Sequence, residues 1–229
     1  APVQIAVTGP GSWVSTAALL SGRHYFPLVR LLSGKVLAIG GFTAGGPTAS
    51  VAAYDPVTDT WSPVASLLTA RSDPSATVLP DGRVLVAGGE AAGRHALASA
   101  EIYDPATDTW QSAGSMAVAS NRHTATLLPN GKVLVIGGYN AAPILSFTQR
   151  AELYDPVANT WTLMATQSSV ARAQHAAELL PGGSEVLVVG GVNRFGFVTS
   201  AERFPVNDSG SIPAPAGAVP GGNVYTSPR

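Results

Sequence analysis

Apolar residues in this chain fall in short runs punctuated by Gly, Pro, Asn and Asp. One block shows the pattern most cleanly. RHTATLL from Arg122 alternates into an apolar end, and KVLVIGG from Lys132 is a continuous apolar run closed by Gly-Gly. AELYDP from Ala151 alternates again and stops at Asp-Pro, and TWTLM from Thr160 is short. Alternation predicts a strand with one covered face, and a brief unbroken apolar run predicts one covered on both. The joins are tight. Asp81-Gly82 and Asn130-Gly131 suit the positive φ of a hairpin turn between first and second strands. Asp104-Pro105-Ala106-Thr107 carries type I turn chemistry between third and fourth. The Ala-rich stretches hold too much Gly, Pro, Ser and Thr for an amphipathic helix.

The block recurs. Gly-Gly closes an apolar run at Gly40-Gly41, Gly88-Gly89, Gly137-Gly138 and Gly190-Gly191, a period near 50 residues. Tyr-Asp-Pro follows at Tyr54, Tyr103 and Tyr154, decaying to Phe204-Pro205 in the last unit. Trp61, Trp110 and Trp161 lie seven residues after each tyrosine, and Arg23, Arg71, Arg122 and Arg172 open the units. Serial four-stranded antiparallel units with a buried second strand predict an all-β fold, a β-propeller. The ordered Arg, Gly-Gly, Tyr and Trp markers resemble the kelch repeat over roughly residues 13–212. The resemblance implies a single propeller domain with four kelch-type blades, at 21–69, 70–120, 121–170 and 171–212. Trp13 lies ten residues before Arg23, as Trp61 does before Arg71. Residues 1–20 are therefore expected to supply a closing strand to the last blade, which has Ser211-Ile212 where Trp should be. The alternative is that Trp13 ends a preceding blade. Two four-blade halves could also complete a larger ring as a homodimer. Residues 213–229 read as an irregular tail.

Composition narrows the function. Of 229 residues 12% are charged, the net charge is -1 and cysteine is absent. That excludes a disulfide framework, thiolate metal sites and a cysteine nucleophile, and argues against nucleic acid as a partner. No apolar run is long enough for a membrane span. The missing cysteine also excludes the copper radical oxidases that resemble galactose oxidase, because they need a cysteine crosslinked to tyrosine. Few lysines and plentiful Ala, Ser, Thr and Pro fit an exported bacterial protein.

Strand reversal sorts the loops. The 1–2 and 3–4 turns share one face, rich in acids such as Asp55, Asp81, Asp104 and Asp155. The 2–3 loops and interblade connections share the other, with Arg23, Arg71, Arg94, Arg122, Arg150, Arg172 and Arg194 against Asp73 and Glu90. Longer loops on a rigid scaffold carry function, so binding is assigned to the second face. The resemblance makes the first strand innermost, which would ring the channel mouth with Arg23, Arg71, Arg122 and Arg172. Such a ring suits carboxylate or phosphate. Alternatively each arginine serves the repeat by pairing with Glu101, Glu152 or Glu202. His24, His123 and His175 follow these arginines and, if they share one side of equivalent strands, are weak candidates for a metal. The Gly-Gly pairs open no helix and are read as close backbone contacts, not as phosphate cradles.

Two functions remain. The first is a noncatalytic module that binds a protein segment, glycan or anionic ligand. Its candidate contacts are the arginines with Phe42, Tyr139, Phe147, Phe195 and Phe197, since Arg and aromatics dominate hot spots. It needs no cofactor. The second, implied by the resemblance, is an epimerase- or mutarotase-like enzyme acting on a sugar or small acid, with Glu90, Asp73 or a histidine as base.

Overall fold

The computed structural model describes residues 14–140, 145–165 and 167–206. Trp13, the expected fourth strand of the last blade at Ser211-Ile212 and the tail lie outside the described residues. Every strand pairing is antiparallel. Blade 1 orders Leu28–Arg30, Val36–Ile39, Val51–Asp55 and Thr60–Val64 from first to fourth strand. Blade 2 is Ser75–Val78, Val84–Ala87, Ser99–Asp104 and Thr109–Ser115. Blade 3 is Thr124–Leu127, Val133–Ile136, Ala151–Asp155 and Thr160–Leu163. Blade 4 is described through Ala176–Leu179, Glu185–Val189 and Ala201–Pro205. First strands of successive blades pack on one another, as in a propeller viewed from its axis.

The unbroken apolar second strands are explained by two cores on opposite faces. Val84 and Val86 enter the core shared with blade 1, while Leu85 and Ala87 enter the core shared with blade 3. Val133 and Val135 likewise face blade 2, and Leu134 and Ile136 face blade 4. Every residue of these two strands is therefore buried.

Polar stitches fix the spacing between blades. Trp110 Nε1 donates to Ala65 O at 2.8 Å and Trp161 Nε1 to Ala113 O at 2.8 Å, each reaching the preceding blade. Asp108 accepts from both Ala65 N and its own blade's Tyr103 hydroxyl. Among the described residues, blade 1 makes the same set with the segment at Ala17. Trp61 Nε1 donates to Ala17 O at 3.1 Å, and Asp59 accepts from Ala17 N and the Tyr54 hydroxyl. Ala17 precedes Arg23 by six residues, as Ala65 precedes Arg71. The segment from residue 14 thus lies against blade 1 as a preceding fourth strand's exit would.

The glycine pairs mark close approach of neighbouring blades. Gly88 and Gly89 have φ of 61° and 97°, and Gly89 N donates to Ser120 O of the next blade at 3.0 Å. A Cβ on Gly88 would meet that same carbonyl oxygen at 2.4 Å. The 2–3 loops hold more order than their sequences suggest. Three carry two-residue ladders, Phe42–Thr43 with Gly46–Pro47, Tyr139–Asn140 with Ser146–Phe147, and Val192–Asn193 with Gly196–Phe197. Blade 2 instead has a short 3-10 turn, Ala92–Arg94.

Candidate functional site: the mouth of the long-loop face

Backbone conformation, not residue type, gives the true equivalence of the blade openings. Tyr25, Asp73, Arg122 and Gln174 all have φ between 51° and 55° just before their first strands. They stand two residues after Arg23, Arg71, Ser120 and Arg172 respectively. Arg122 therefore does not belong to the set of four equivalent arginines, and Ser120 takes that place in blade 3.

The set itself faces inward. Arg71 is fully buried, donates from Nη1 to Gly88 O at 2.7 Å and Ser99 O at 2.8 Å, and pairs with Glu101 at 2.6 Å. Arg172 repeats the arrangement with Gly190 O, Ser200 O and Glu202. Ser120 keeps one element of it, donating to Gly137 O at 2.9 Å. Arg23 donates to Gly40 O and Ser50 O, both at 2.9 Å, and no described carboxylate pairs with it. Burial pulls the Arg71 and Arg23 guanidinium pKa values down, opposed at Arg71 by Glu101. These side chains clamp the 2–3 loop of their own blade, so the mouth is not ringed by four free arginines.

The histidines divide the same way. His123 and His175 are equivalent, and each reaches back to the preceding blade's first strand. His123 Nε2 lies 2.8 Å from Ser75 Oγ, and His175 Nε2 lies 3.0 Å from Thr124 Oγ1. Burial pushes both down to about 4, with Arg172 and His123 adding to the effect at His175. His24 is out of register with them, exposed, and packs beside Tyr25 and Phe42. The three do not share one side of equivalent strands. Among the described residues no group of three His, Cys, Asp or Glu side chains could hold a metal ion.

Arg122 is the polar centre of the mouth. Its Nε donates to Asp73 at 2.7 Å, and its guanidinium lies 5.0 Å from the Tyr25 ring centroid and 5.6 Å from that of Tyr139. Tyr139 stacks on Phe147 with centroids 5.5 Å apart. Asn121 donates to Glu90 at 2.9 Å, tying blade 3 to the blade 2 loop. Burial raises the Asp73 carboxyl although Arg122 opposes it; Arg122 itself is raised, with burial outweighed by Asp73. Asp73, one of the candidate bases of the enzyme reading, is thus 4% exposed and committed to Arg122. Tyr25 and Asn121 join this cluster without having been singled out from sequence; their position two and one residues past the arginine set was the available signal.

Beyond the centre lie the tips. Arg94, Arg150 and Arg194 are exposed, and no described acid pairs with them. Phe195 and Phe197 are 82% and 92% exposed, with Arg194 stacked 4.6 Å from the Phe195 centroid. Phe42 is half-buried against His24. The opposite face spends its charge on the fold: Asp55, Asp104 and Asp155 cap their own turns, and Lys35 pairs with Asp55 at 3.3 Å. No helix among the described residues is long and apolar enough to cross a membrane.

A family model for the kelch motif matches residues 25–68, 71–117 and 122–168, together more than half of the chain. Relatives called Kelch-like protein 23 are 33% identical over 69 residues in Homo sapiens and in Pongo abelii, and 33% over 67 residues in Mus musculus. These matches cover about 30% of this chain and 12% of each relative. All three relatives are mammalian, so they lend no support to a bacterial source.

Proposed function

We propose, from the premise that this chain belongs to the kelch-repeat family of β-propellers, that it is a noncatalytic interaction module whose long-loop face recognises an acidic protein segment carrying an apolar anchor. One observation carries the reading. Phe195 and Phe197 stand almost fully exposed on a structured hairpin, and Arg194, Arg150 and Arg94 on the same face have no described acidic partner. Aromatic residues held on a rigid turn give contact area at little entropic cost, and arginines beside them select carboxylates. A catalytic reading is less favoured, since Asp73 is held by Arg122 and Glu90 by Asn121. Glycan recognition would draw on the same aromatics but would leave the three exposed arginines without a role.

Panning a displayed peptide library against the chain tests this. Enriched peptides should carry Asp or Glu beside Leu, Phe or Trp. A Phe195→Ser, Phe197→Ser variant with unchanged melting temperature should lose them. Peptides that bind the variant as well as the parent would overturn the reading.

A further inference from the structure

In blades 2, 3 and 4 one third-strand glutamate does the same work. Glu101 accepts from the backbone amides of Leu68 at 2.6 Å and Thr69 at 3.0 Å, where the preceding blade hands over to its own. Glu152 accepts from Ala117 N at 2.6 Å and Val118 N at 3.0 Å. Glu202 accepts from Ser169 N at 2.7 Å and from the Ser168 hydroxyl. In blades 2 and 4 the repeat arginine adds its Nη2 to the same carboxylate. The motif is a carboxylate cradle built from two consecutive donors and a guanidinium.

Blade 1 keeps the cradle and lacks the carboxylate. Ala52 stands where Glu101 stands in blade 2, two residues before the tyrosine. Leu20 and Ser21 occupy the places of Leu68 and Thr69, and the segment is held in register by the Ala17 bonds to Asp59 and Trp61. No acceptor among the described residues faces the Leu20 or Ser21 amide. Arg23 is anchored at Nη1 as Arg71 is, but its Nη2 reaches only the Ser21 hydroxyl, at 2.9 Å, and its buried Nε has no partner. Leu20 and Ser21 are exposed, so the place is open to solvent.

We propose that Leu20 N, Ser21 N and the Arg23 guanidinium form a binding site for a carboxylate supplied from outside the blade, as a small carboxylic acid or as the acidic side chain of a bound protein. The same three donors hold Glu101 in blade 2, and blades 3 and 4 each use two of them on their glutamates. A cationic donor with two aligned amides makes charge-assisted bonds that a carboxylate satisfies with both oxygens. This site sits at the edge of blade 1 and does not depend on the loop-face reading above.

Amide NMR of the full chain titrated with sodium acetate, at constant ionic strength held with chloride, tests it. The Leu20 and Ser21 resonances should shift and saturate in the millimolar range. Arg23→Gln should weaken that affinity about tenfold, the loss of one charge-assisted contact. Ala52→Glu should supply the carboxylate internally, raise the melting temperature and abolish the acetate response. A glutamate-containing peptide compared with acetate distinguishes the sources: tighter binding by the peptide assigns the site to a protein acid, and equal binding to small carboxylates. Unmoved Leu20 and Ser21 amides, an affinity unchanged in Arg23→Gln, or an acetate response that persists in Ala52→Glu would overturn the proposal.

Discussion

Glu101 and Arg71 are both buried, and each satisfies more than the other: the carboxylate holds two backbone amides while the guanidinium holds two carbonyls. Removing one partner leaves a buried charge and several orphaned backbone groups. Glu101→Ala should therefore cost about 3–5 kcal/mol in urea unfolding, whereas Glu152→Ala, which leaves no arginine unpaired because Ser120 stands there, should cost less. The buried histidines give a pH dependence. His123 and His175 titrate near 4 in the folded chain against an ordinary 6.5. Between those values the unfolded chain binds more protons than the folded one, so these groups destabilise the fold as pH falls from about 6.5 towards 4 and contribute nothing to that loss above 6.5. His123→Gln should flatten the fall in the urea midpoint over that interval; an unchanged slope would mean His123 is protonated in the fold. At this scale sequence could be read only in part. The pairing of arginines with glutamates was legible because both recur at fixed offsets. Arg122 was misaligned with the others because matching residue type concealed a two-residue slip, which only the shared positive φ of Tyr25, Asp73, Arg122 and Gln174 exposes.

Elements were the most legible level, since turn chemistry is local. Asp-Pro and Asn-Gly turns, the doubly buried second strands and the glycine-pair contacts all follow from short-range rules, and each is present. The small ladders in the 2–3 loops were not legible, because two-residue pairings such as Val192–Asn193 with Gly196–Phe197 leave no periodicity to read. The glycine pairs allow a controlled measurement of what an adjoining blade contributes. Gly88 and Gly190 have nearly the same φ, 61° and 67°. A Cβ on Gly88 would fall 2.4 Å from Ser120 O, whereas the nearest atom to one on Gly190 is Val198 O at 3.6 Å. Both alanine substitutions share the cost of a left-handed backbone, about 1–2 kcal/mol. Gly88→Ala adds a clash with the next blade, on the order of 1–3 kcal/mol more. Equal losses in the two variants would mean that backbone strain alone governs these positions. On the turn face, Gly131→Val should be destabilising because φ is 82° there, and the peptides selected on the other face should still bind the folded fraction.

At the largest scale, the recurring markers disclose each blade in this chain, because each unit must bury its second strand against neighbours and so repeats the same pattern. Ring closure has no such signal: the expectation rests on Trp13 and Ser211-Ile212, single sequence features and not a marker that recurs. The described blades still differ in how thoroughly they are enclosed. Val84–Ala87 and Val133–Ile136 lie between two cores, and all their residues are buried. In Glu185–Val189, Val186 and Val188 join the core with blade 3, but Leu187 is half-buried and Val189 is 40% exposed. Where stability is a sum of repeat and interface contributions, strands with two filled interfaces open last. Amide hydrogen exchange should accordingly protect the second strands of blades 2 and 3 most, with that of blade 4 exchanging faster by the loss of one interface. Leu85→Ala, in the core between blades 2 and 3, should lower stability by about 2–5 kcal/mol, while Leu187→Ala should have a much smaller effect. Uniform protection across all second strands would instead indicate that the blades unfold only together, and that an interface not formed by the described residues encloses blade 4 as fully as its neighbours.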